Sequence, residues 1–317
     1  MDTADSSAPI KVSRLGKRYA NGAGVTDVSM TVRPGAVTGL IGVNGAGKST
    51  TLRSLMGLVR PDAGEIHLFG RPASEAARNR IGFLPEERGL APRDRARSVI
   101  AFHGRMKGLD RRAAYASADR LLERVGLGAR RTARICELSK GNAQRVQILC
   151  TLVHQPDLLI LDEPLSGLDP VAQSEILALF AEFRAAGGSI LLSTHSMAAV
   201  ESICDHVVML SAGVTVFEGD LAEAADQAPH GAIVVTSDPA ALRAVAERLG
   251  GSAAPLSAGL GEAVRWRVLL PAHVPHPALL RALSERSIPV MAFEPIQKNL
   301  EGAFWTLARA ATDNRAA

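Results

Sequence analysis

Short apolar runs rich in β-branched residues alternate with turn signals between positions 10 and 68. The runs "IKVSRLGKRY", "VTDVSMTV" and "AVTGLIGV" are separated by Asn-Gly and Pro-Gly pairs, a pattern that predicts three β-strands. After the third run, Leu52, Leu55 and Met56 recur at helical spacing within residues 51–58, which predicts a helix. The chain is therefore expected to begin with a β-rich segment that ends in a strand, a glycine-rich turn and a helix.

Helical periodicity dominates from residue 96 to about residue 126, and we expect a helical insert over about residues 96–155. Its predicted inward-facing side chains are Val99, Ile100, Met106, Leu121, Leu122 and Val125. After the insert, "DLLILDEP" and "SILLST" are compact apolar runs joined by the helical stretch "PVAQSEILALFAEFRAAGG". Buried parallel strands connected by a crossover helix have this pattern.

The character of the chain changes near Gly219, where "GDLAEAADQAPHGA" is small, polar and turn-rich and predicts a linker. Beyond it, strands alternate with helices as in a small α/β module: "AIVVTS", "PAALRAVAERLG", "EAVRWRVLL", "HPALLRALSERS", "IPVMAF" and "NLEGAFWTLARA". In the third of these segments, Val264, Trp266 and Val268 alternate with Arg265 and Arg267, so one face of this sheet is expected to be solvated.

Length and charge narrow the possible classes of protein. A chain of 317 residues favours two domains. The formal charge of +4 arises from 36 basic and 32 acidic residues that are interleaved along the chain, so charge does not indicate a nucleic-acid partner. The acidic, polar start "MDTADSSAPI" lacks the features of a secretory signal and is expected to be a frayed tail.

Neither cysteine pairs nor a membrane span is expected. The three cysteines, Cys136, Cys150 and Cys204, contain no C-x-x-C pair, which argues against a zinc knuckle or a disulfide framework and favours a reducing cytoplasm. No run approaches 18 apolar residues, so we expect a soluble chain. His273 and His276 in "HVPH" lack a third ligand, and a loop is expected there.

The stretch "GVNGAGKST" at residues 42–50 matches G-x-x-x-x-G-K-[ST]. Glycines let successive backbone N–H groups point at one anion, and the helix that follows adds its dipole. Lys48 is expected to reach the β- and γ-phosphates of a nucleotide, and Ser49 to ligate Mg²⁺. The predicted nucleotide-binding residues of this loop are Asn44, Gly45, Ala46, Gly47, Lys48, Ser49 and Thr50.

A nucleoside triphosphate also needs a second carboxylate for its metal and a group that orients or deprotonates water. The strand "LLILDEP" ends in Asp162 and Glu163. Asp162 is expected to hold Mg²⁺, and Glu163 to act as general base or to polarise water. Taken alone, such a run is also compatible with a strand whose tip is merely solvated. The phosphate loop upstream favours the functional interpretation.

The order of further motifs resembles the ATP-binding cassette family. After the phosphate loop come "LSKGNAQRVQ", "LLILDEP", "SGLDP" and "STHS", and the similarity covers about residues 8–220. The resemblance implies a P-loop NTPase cassette, that is, an α/β fold with a mixed sheet core, an antiparallel β subdomain and the helical insert. It implies an ATP-binding domain at 8–220 followed by a C-terminal accessory α/β domain at 221–317, and it implies ATP and Mg²⁺ as ligands.

The resemblance also assigns roles to single residues. Tyr19 matches an aromatic residue that stacks on adenine, although a strand aromatic packed in the core is an equal alternative. His195 matches a histidine that contacts the γ-phosphate and the attacking water. Ser139 and Gly141 belong to a signature that faces the phosphate loop of a second cassette. The resemblance therefore implies an ATP-driven homodimer or a paired cassette.

Three positions depart from the family pattern, and a fourth has two interpretations. Lys140 and Asn142 replace a glycine and a glutamine in the signature, and Lys140 either adds positive charge near the partner's γ-phosphate or faces solvent. Glu86 stands where the family commonly has a glutamine, and it can still bind Mg²⁺ or water. These departures are similar to those of sodium-export and drug-resistance ATPases. Asp169 is expected to cap a helix that begins with Pro170, to contact the second cassette, or both.

The resemblance implies an ATPase subunit that powers export of a solute through a separate multi-spanning permease. Its implied location is cytoplasmic, on the inner face of the cell membrane. Two alternatives stay open: a soluble cassette ATPase acting on ribosomes or DNA, and a regulatory protein that binds ATP without turnover. Leu300, Phe304 and Leu307 have helical spacing in the tail segment and are expected to make core or dimer contacts.

Overall fold

The computed structural model describes residues 8–87, 89–256 and 264–316, with side chains through residue 311. The chain divides after Leu221 into two compact units. Most of the N-terminal segment expected to be a tail, and the first residues of the run "EAVRWRVLL", lie outside the described residues. Among the described residues, no helix is long and apolar enough to cross a membrane.

The first unit contains one ten-stranded sheet. Its strands are β1 (Ile10–Arg18), β2 (Gly24–Val32), β3 (Val37–Ile41), β4 (Ala63–Leu68), β5 (Arg71–Pro72), β6 (Ile81–Leu84), β7 (Leu158–Asp162), β8 (Ser189–Thr194), β9 (His206–Ser211) and β10 (Val214–Asp220). They are ordered β5-β4-β1-β2-β10-β9-β3-β8-β7-β6. The three strands predicted before residue 44 are therefore present as β1, β2 and β3.

The sheet has a parallel part and an antiparallel part. Strands β9, β3, β8, β7 and β6 pair parallel with one another, and every residue of β3, β7 and β8 is buried. Strands buried along their whole length are typical of parallel sheets covered on both faces. Strands β2, β1, β4 and β5 pair antiparallel, and β10 joins the two parts.

The helices of the first unit connect the strands of its sheet. They are α1 (Lys48–Leu55), α2 (Glu75–Asn79), α3 (Ala96–Met106), α4 (Arg111–Arg124), α5 (Lys140–Leu152), α6 (Pro170–Ala185) and α7 (Met197–Ile203), and α8 (Leu221–Asp226) begins where the chain divides. Helices α1 and α6 start directly after the phosphate loop and after "SGLD". Short 3₁₀ turns at Gly128–Arg130 and Ile135–Glu137 connect α4 to α5.

The inward face predicted for the insert is correct except at Met106. Val99, Ile100, Leu122 and Val125 are buried, and Leu121 is half-buried. Met106 is 70% exposed. Gly104 holds the inward position instead, since a Cβ there would lie 3.1 Å from a methyl carbon of Val153. Glycine is not counted as apolar in the helical pattern. The pattern therefore assigned the inward position to Met106, two residues after Gly104.

The linker predicted after Gly219 is also partly wrong. Strand β10 continues to Asp220, and α8 follows immediately with Ala224 fully buried. Leucine, alanine and glutamate favour a helix over a flexible connection, and the small, polar composition of this segment concealed that preference.

The described residues of the second unit form an antiparallel four-stranded sheet and three helices in addition to most of α8. Its elements are β11 (Gly231–Thr236), α9 (Pro239–Arg248), β12 (Ser252–Pro255), β13 (Val264–Leu269), α10 (His276–Glu285), β14 (Val290–Pro295) and α11 (Leu300–Ala316), with strand order β12-β13-β11-β14. The strand β12 was not predicted.

Side chains on one face of this sheet form the core of the second unit. Trp266 and Val268 are buried, whereas Arg265 and Arg267 are exposed, which confirms the predicted solvated face. Leu300 and Phe304 are fully buried in this chain. The core interpretation is therefore correct for these two residues, and Leu307 is half-buried.

Candidate active site

The phosphate loop connects β3 to α1 through two glycines in the left-handed region. Gly45 has φ +82° and Gly47 has φ +106°. A Cβ at Gly47 would lie 2.3 Å from Cγ1 of Val25, so both conformation and space require glycine there. No side chain caps the N-terminus of α1 and its first turn contains no acid. The backbone N–H groups at this helix start are therefore suited to an anion.

Lys48 is the first residue of α1 and is only 8% exposed. Its Nζ donates hydrogen bonds to the carbonyl oxygens of Gly42, at 2.6 Å, and of Val43, at 3.3 Å. The ammonium group is thus held inside the loop that it closes. A buried cation with only carbonyl partners attracts phosphate oxygens strongly, because little water competes for it.

A cavity of about 320 Å³ joins this loop to segments far away in the sequence. It is lined by Ala23, Gly24, Asn44, Gly45, Gly47, Lys48, Ser49, Thr50, Glu86, Asp162 and Glu163. Most of the predicted loop residues, the predicted metal ligands and the predicted base therefore meet at one place. Ala46 is 1% exposed and does not line the cavity.

Asp162 ends β7 and is 5% exposed. Strand β8 runs beside β7 with Ser193 directly opposite Asp162. The Ser193 hydroxyl donates a hydrogen bond to Oδ1 of Asp162. This bond fixes one carboxylate oxygen, and the other oxygen stays available to a ligand.

Glu163 is held by groups from the end of β8. Its Oε2 accepts a hydrogen bond from Oγ1 of Thr194 at 3.2 Å, and its Oε1 accepts one from the backbone N–H of His195 at 3.0 Å. Glu163 has φ +50°, which is uncommon for a residue with a side chain and is found often at functional sites. The carboxylate therefore has a defined orientation before any ligand binds.

His195 lies just after β8, with its side chain 67% exposed. Its Nδ1 is 2.7 Å from Oε1 of Glu163. The ring does not line the phosphate cavity, and it touches a neighbouring cavity of about 430 Å³ that also contains Glu163. His195 is thus connected to the phosphate site through Glu163.

The signature residues lie elsewhere on the chain. Ser139 is the exposed N-cap of α5, and its hydroxyl accepts a hydrogen bond from the N–H of Asn142 at 3.2 Å. Lys140 is exposed and Gly141 is half-buried. These residues do not line the phosphate cavity of their own chain, and the helix start that they form is open to solvent.

Asp169 and Tyr19 each had two interpretations. Asp169 caps α6, where its Oδ1 accepts a hydrogen bond from the N–H of Ala172 at 2.9 Å and Pro170 begins the helix, so the capping interpretation is confirmed. Tyr19 is half-buried in the turn after β1, where its N–H donates to the carbonyl of Ala23 at 2.9 Å. It therefore lies directly after β1, which ends at Arg18, and the contact with adenine stays a prediction.

The predicted Mg²⁺ ligands fit a hard cation. Ser49, Glu86 and Asp162 line the same cavity and offer only oxygen donors, as Mg²⁺ prefers. Glu86 is exposed in the loop after β6. No group of three or more His, Cys, Asp or Glu residues in the described parts of the chain could hold a metal alone. A cation here would complete its shell with water and phosphate oxygens, which is usual for Mg²⁺.

Sequence analysis missed two hydroxyl residues that hold the carboxylates. Ser193 and Thr194 are 0% and 6% exposed, yet only His195 of "STHS" was given a role. Two hydroxyls at the end of an otherwise apolar buried strand were the available signal, because buried polar groups require hydrogen-bond partners.

Comparisons with known proteins agree on one family. The family model described as ABC transporter matches residues 25–166. The ABC transporter ATP-binding protein YhaQ of Bacillus subtilis is 37% identical over 68% of this chain and 72% of its own length. The Nod factor export ATP-binding protein I of Burkholderia lata is 37% identical over 74% of this chain and 79% of its own length.

Solved structures give the same result. A structure described as the ATP binding subunit of an ABC transporter superposes with a TM-score of 0.64 at 33% identity, over 69% of this chain and 92% of that one. The structure of cbiO1 from Clostridium perfringens, described as part of the ABC transporter complex cbiONQ, gives a TM-score of 0.60 at 29% identity, over 68% and 89% of the two chains.

Proposed function

The chain belongs to the ABC transporter family as an ATP-binding subunit, and from this premise we propose that it hydrolyses ATP in the cavity around Lys48 to power solute export. The predicted cassette fold is confirmed. We further propose that residues 8–220 form the ATP-binding domain, that residues 221–317 form an accessory domain, and that the transported solute passes through a separate membrane-spanning protein.

One observation supports hydrolysis more than any other. Glu163, Asp162 and Lys48 line a single cavity, although they follow two different strands of the sheet. The cation and the helix start are suited to bind phosphates, and a carboxylate stands opposite them. Positioning and electrostatic stabilisation supply most of the catalysis in phosphoryl transfer, and these groups provide both.

In this proposal Glu163 orients the attacking water and takes its proton. Its carboxylate is already fixed by Thr194 and by the N–H of His195, so little reorganisation is needed when water arrives. The His195 ring lies next to Oε1 of Glu163. We propose that it contacts the γ-phosphate and the attacking water when ATP is bound. This arrangement favours turnover over the alternative of a regulatory protein that binds ATP without hydrolysis.

We assign the Mg²⁺ contacts to Ser49, Asp162 and Glu86. Held by these residues, Mg²⁺ would supply positive charge against the negative charge that develops in phosphoryl transfer. Asp162 is suited to this role because Ser193 holds one of its oxygens and leaves the other free. Glu86 adds a second negative charge at the edge of the same cavity.

A second copy of the cassette would complete the site. The N-terminus of α5, with Ser139 and Gly141, is open to solvent and lies outside the phosphate cavity of its own chain. We propose that it meets the phosphate loop of a partner cassette when ATP is bound, and that hydrolysis separates the two. Asp169 and Lys140 would lie at the same interface, and Tyr19 would contact adenine.

A surface near the insert is suited to the membrane partner. Phe102 and Met106 are one helical turn apart on α3 and are 58% and 70% exposed. The Nζ of Lys107 donates to the carbonyl of Arg78, and Nε of Arg78 donates to the carbonyl of Leu55. The end of α3 therefore adjoins the end of α1. Adjacent exposed apolar side chains on one helix face form a patch, and contiguous apolar patches are common at protein interaction sites.

The names of the relatives support the same setting. One relative is named for the export of Nod factor, and cbiO1 is part of a transporter complex. By analogy we place this chain at the cytoplasmic face of a membrane, held there by its permease. A soluble ATPase with a ribosomal or DNA partner is not favoured by any of these observations.

Co-purification from solubilised membranes tests the partner. The intact chain is expected to be recovered with a multi-spanning protein, and Met106→Glu is expected to reduce the recovered partner at least about tenfold, because a buried unpaired charge is costly at an interface. Met291→Glu is a matched control in the second unit, at a methionine that is 63% exposed. Recovery of the chain only as a free species would contradict the proposed partner.

A further inference from the structure

The positive charge of this protein is concentrated in its helical insert. Residues 96–155 contain twelve Arg and Lys and four Asp and Glu, an excess of eight positive charges. The whole chain has an excess of only four, so all other residues together have an excess of four negative charges. The near balance of basic and acidic residues in the complete chain therefore conceals the excess of positive charge in the insert.

Three arginines and one tyrosine form a continuous surface on α3 and α4, which we name the arginine face: Arg97, Arg111, Arg112 and Tyr115. They line an open depression of about 650 Å³ together with Ala116 and Asp119. The guanidinium carbons of Arg97 and Arg111 lie 4.9 Å and 5.9 Å from the centre of the Tyr115 ring. Cation–π contacts of this kind keep the cations close to the ring.

Acidic residues neutralise little of this charge. The Nη2 of Arg97 lies 2.6 Å from Oδ2 of Asp119, which satisfies one cation. In the parts of the chain that the structure describes, neither Arg111 nor Arg112 forms an ion pair. Like charges held this close raise the electrostatic free energy of the chain unless an anionic partner compensates them.

Backbone pairing extends the basic surface beyond the arginine face. The N–H of Arg97 donates to the carbonyl of Arg131 at 3.0 Å, and Arg95 pairs with Arg134 in an isolated antiparallel bridge. Arg95, Arg131 and Arg134 are all exposed. The cationic area therefore covers several elements, which is more than one small phosphate compound would contact.

We propose that the arginine face binds the headgroups of anionic phospholipids and so fixes the insert against the membrane surface. Guanidinium groups form bidentate hydrogen bonds with phosphate oxygens, and clusters of basic residues bind anionic lipid surfaces. Tyrosine is favoured at the headgroup level of a bilayer. An open, extended cationic surface fits an array of headgroups better than a single enclosed ligand.

Nucleic acid is the less suitable partner on the same observations. Single-stranded nucleic acid is bound by stacking its bases on free aromatic rings in a positive groove. Two guanidinium groups already cover the Tyr115 ring, so a base would have to displace them. Phosphate-bearing lipids require only the guanidinium groups.

Vesicle sedimentation with the full chain tests this inference. Vesicles of phosphatidylcholine alone are compared with vesicles that contain about one third phosphatidylglycerol. We expect binding only to the anionic vesicles, and a strong decrease at high salt because the interaction is electrostatic. The double variant Arg111→Gln/Arg112→Gln is expected to bind roughly 30-fold more weakly, from about fivefold per arginine.

A matched control is available in the second unit. Arg248 and Arg281 are exposed, and Arg248→Gln/Arg281→Gln removes the same charge without touching the insert. This control is expected to bind anionic vesicles like the wild type. Equal weakening of vesicle binding by both double variants would overturn the proposal. It would show that binding depends on the net charge of the chain and not on the arginine face.

Competition at constant ionic strength separates lipid from other phosphate ligands. If inorganic phosphate or a single-stranded RNA oligonucleotide binds more tightly than the vesicles, and that binding is lost in Arg111→Gln/Arg112→Gln, the lipid proposal is overturned. The proposal takes its biological setting from the proposed function, yet vesicle binding needs no permease. Hydrolysis of ATP, measured in the same samples, is expected to be unchanged in both double variants. Failure of the lipid proposal can therefore be distinguished from failure of the proposed ATPase function.

Discussion

At the scale of single residues, the most informative group is a serine that does not line the phosphate cavity. Ser193 is fully buried and donates a hydrogen bond to Asp162, so it positions the carboxylate assigned to Mg²⁺. Groups that orient a metal ligand typically change affinity for the metal by 10- to 100-fold when removed. The hydroxyl at the end of β8 therefore belongs to the site as much as the carboxylate that it holds.

Ser193→Ala is expected to raise the Mg²⁺ concentration for half-maximal ATP hydrolysis about tenfold, with a smaller change in turnover at saturating Mg²⁺. A Mg²⁺ titration of ATPase activity measures this. Ser189→Ala is the control, because Ser189 is also buried in β8 but its hydroxyl accepts a hydrogen bond from the N–H of Gly35. An unchanged Mg²⁺ requirement in Ser193→Ala would refute the positioning role.

Residues adjacent in the sequence could be assigned a chemical role without a structure, whereas contacts across strands could not. The loop from Gly42 to Thr50 is contiguous, so its chemistry is visible in the sequence. The contact between Ser193 and Asp162 depends on β7 lying beside β8. The sequence predicted two parallel strands here, but it did not contain the register that places Ser193 opposite Asp162.

At the scale of elements, the strands that carry the site were the most predictable part of the fold. Runs such as "LLILD" and "SILLST" are apolar and short, and both form fully buried strands. Errors occurred where packing overrode composition: Gly104 replaced Met106 on the inner face of α3, α8 formed within a polar segment, and the four-residue strand β12 has no apolar run. The predicted domain boundaries stay a prediction.

The junction of α5, α3 and β6 contains a histidine whose protonation is linked to stability. Burial, followed by the charges of Lys107 and His103, lowers the pKa of His154 to about 4. Between pH 6.5 and 4 the unfolded chain therefore binds more protons at this residue than the folded chain, and acidification through this window favours unfolding.

The variant His154→Leu is expected to lose less unfolding free energy than the wild type between pH 6.5 and pH 4. Denaturant unfolding at several pH values within that window measures the slope. His273→Leu, at an exposed histidine of the second unit, is the control and is expected to keep the slope of the wild type. An equal slope in His154→Leu would show that His154 is not the linked group.

At the scale of the whole molecule, we propose that a second cassette completes the site. The phosphate loop and both carboxylates meet in one cavity, while the N-terminus of α5 with Ser139 lies outside it and open to solvent. Each chain carries both parts of the proposed interface, the phosphate cavity and the N-terminus of α5. Two copies can therefore pair so that each ATP lies between the cavity of one copy and the α5 helix of the other. In our two proposals, the charge of the insert would bind lipid while another surface of the chain binds the permease.

The central claim is that Glu163 activates water for cleavage of ATP at this site. The most direct test is ATP turnover by Glu163→Gln, with Glu285→Gln as a control at an exposed acid of the second unit. Glutamine has nearly the same shape and can accept a hydrogen bond from Thr194, but it cannot take a proton from water. We expect turnover to fall at least about 100-fold, with ATP still bound and the chain held as a dimer. Hydrolysis at the rate of the wild type would contradict the account.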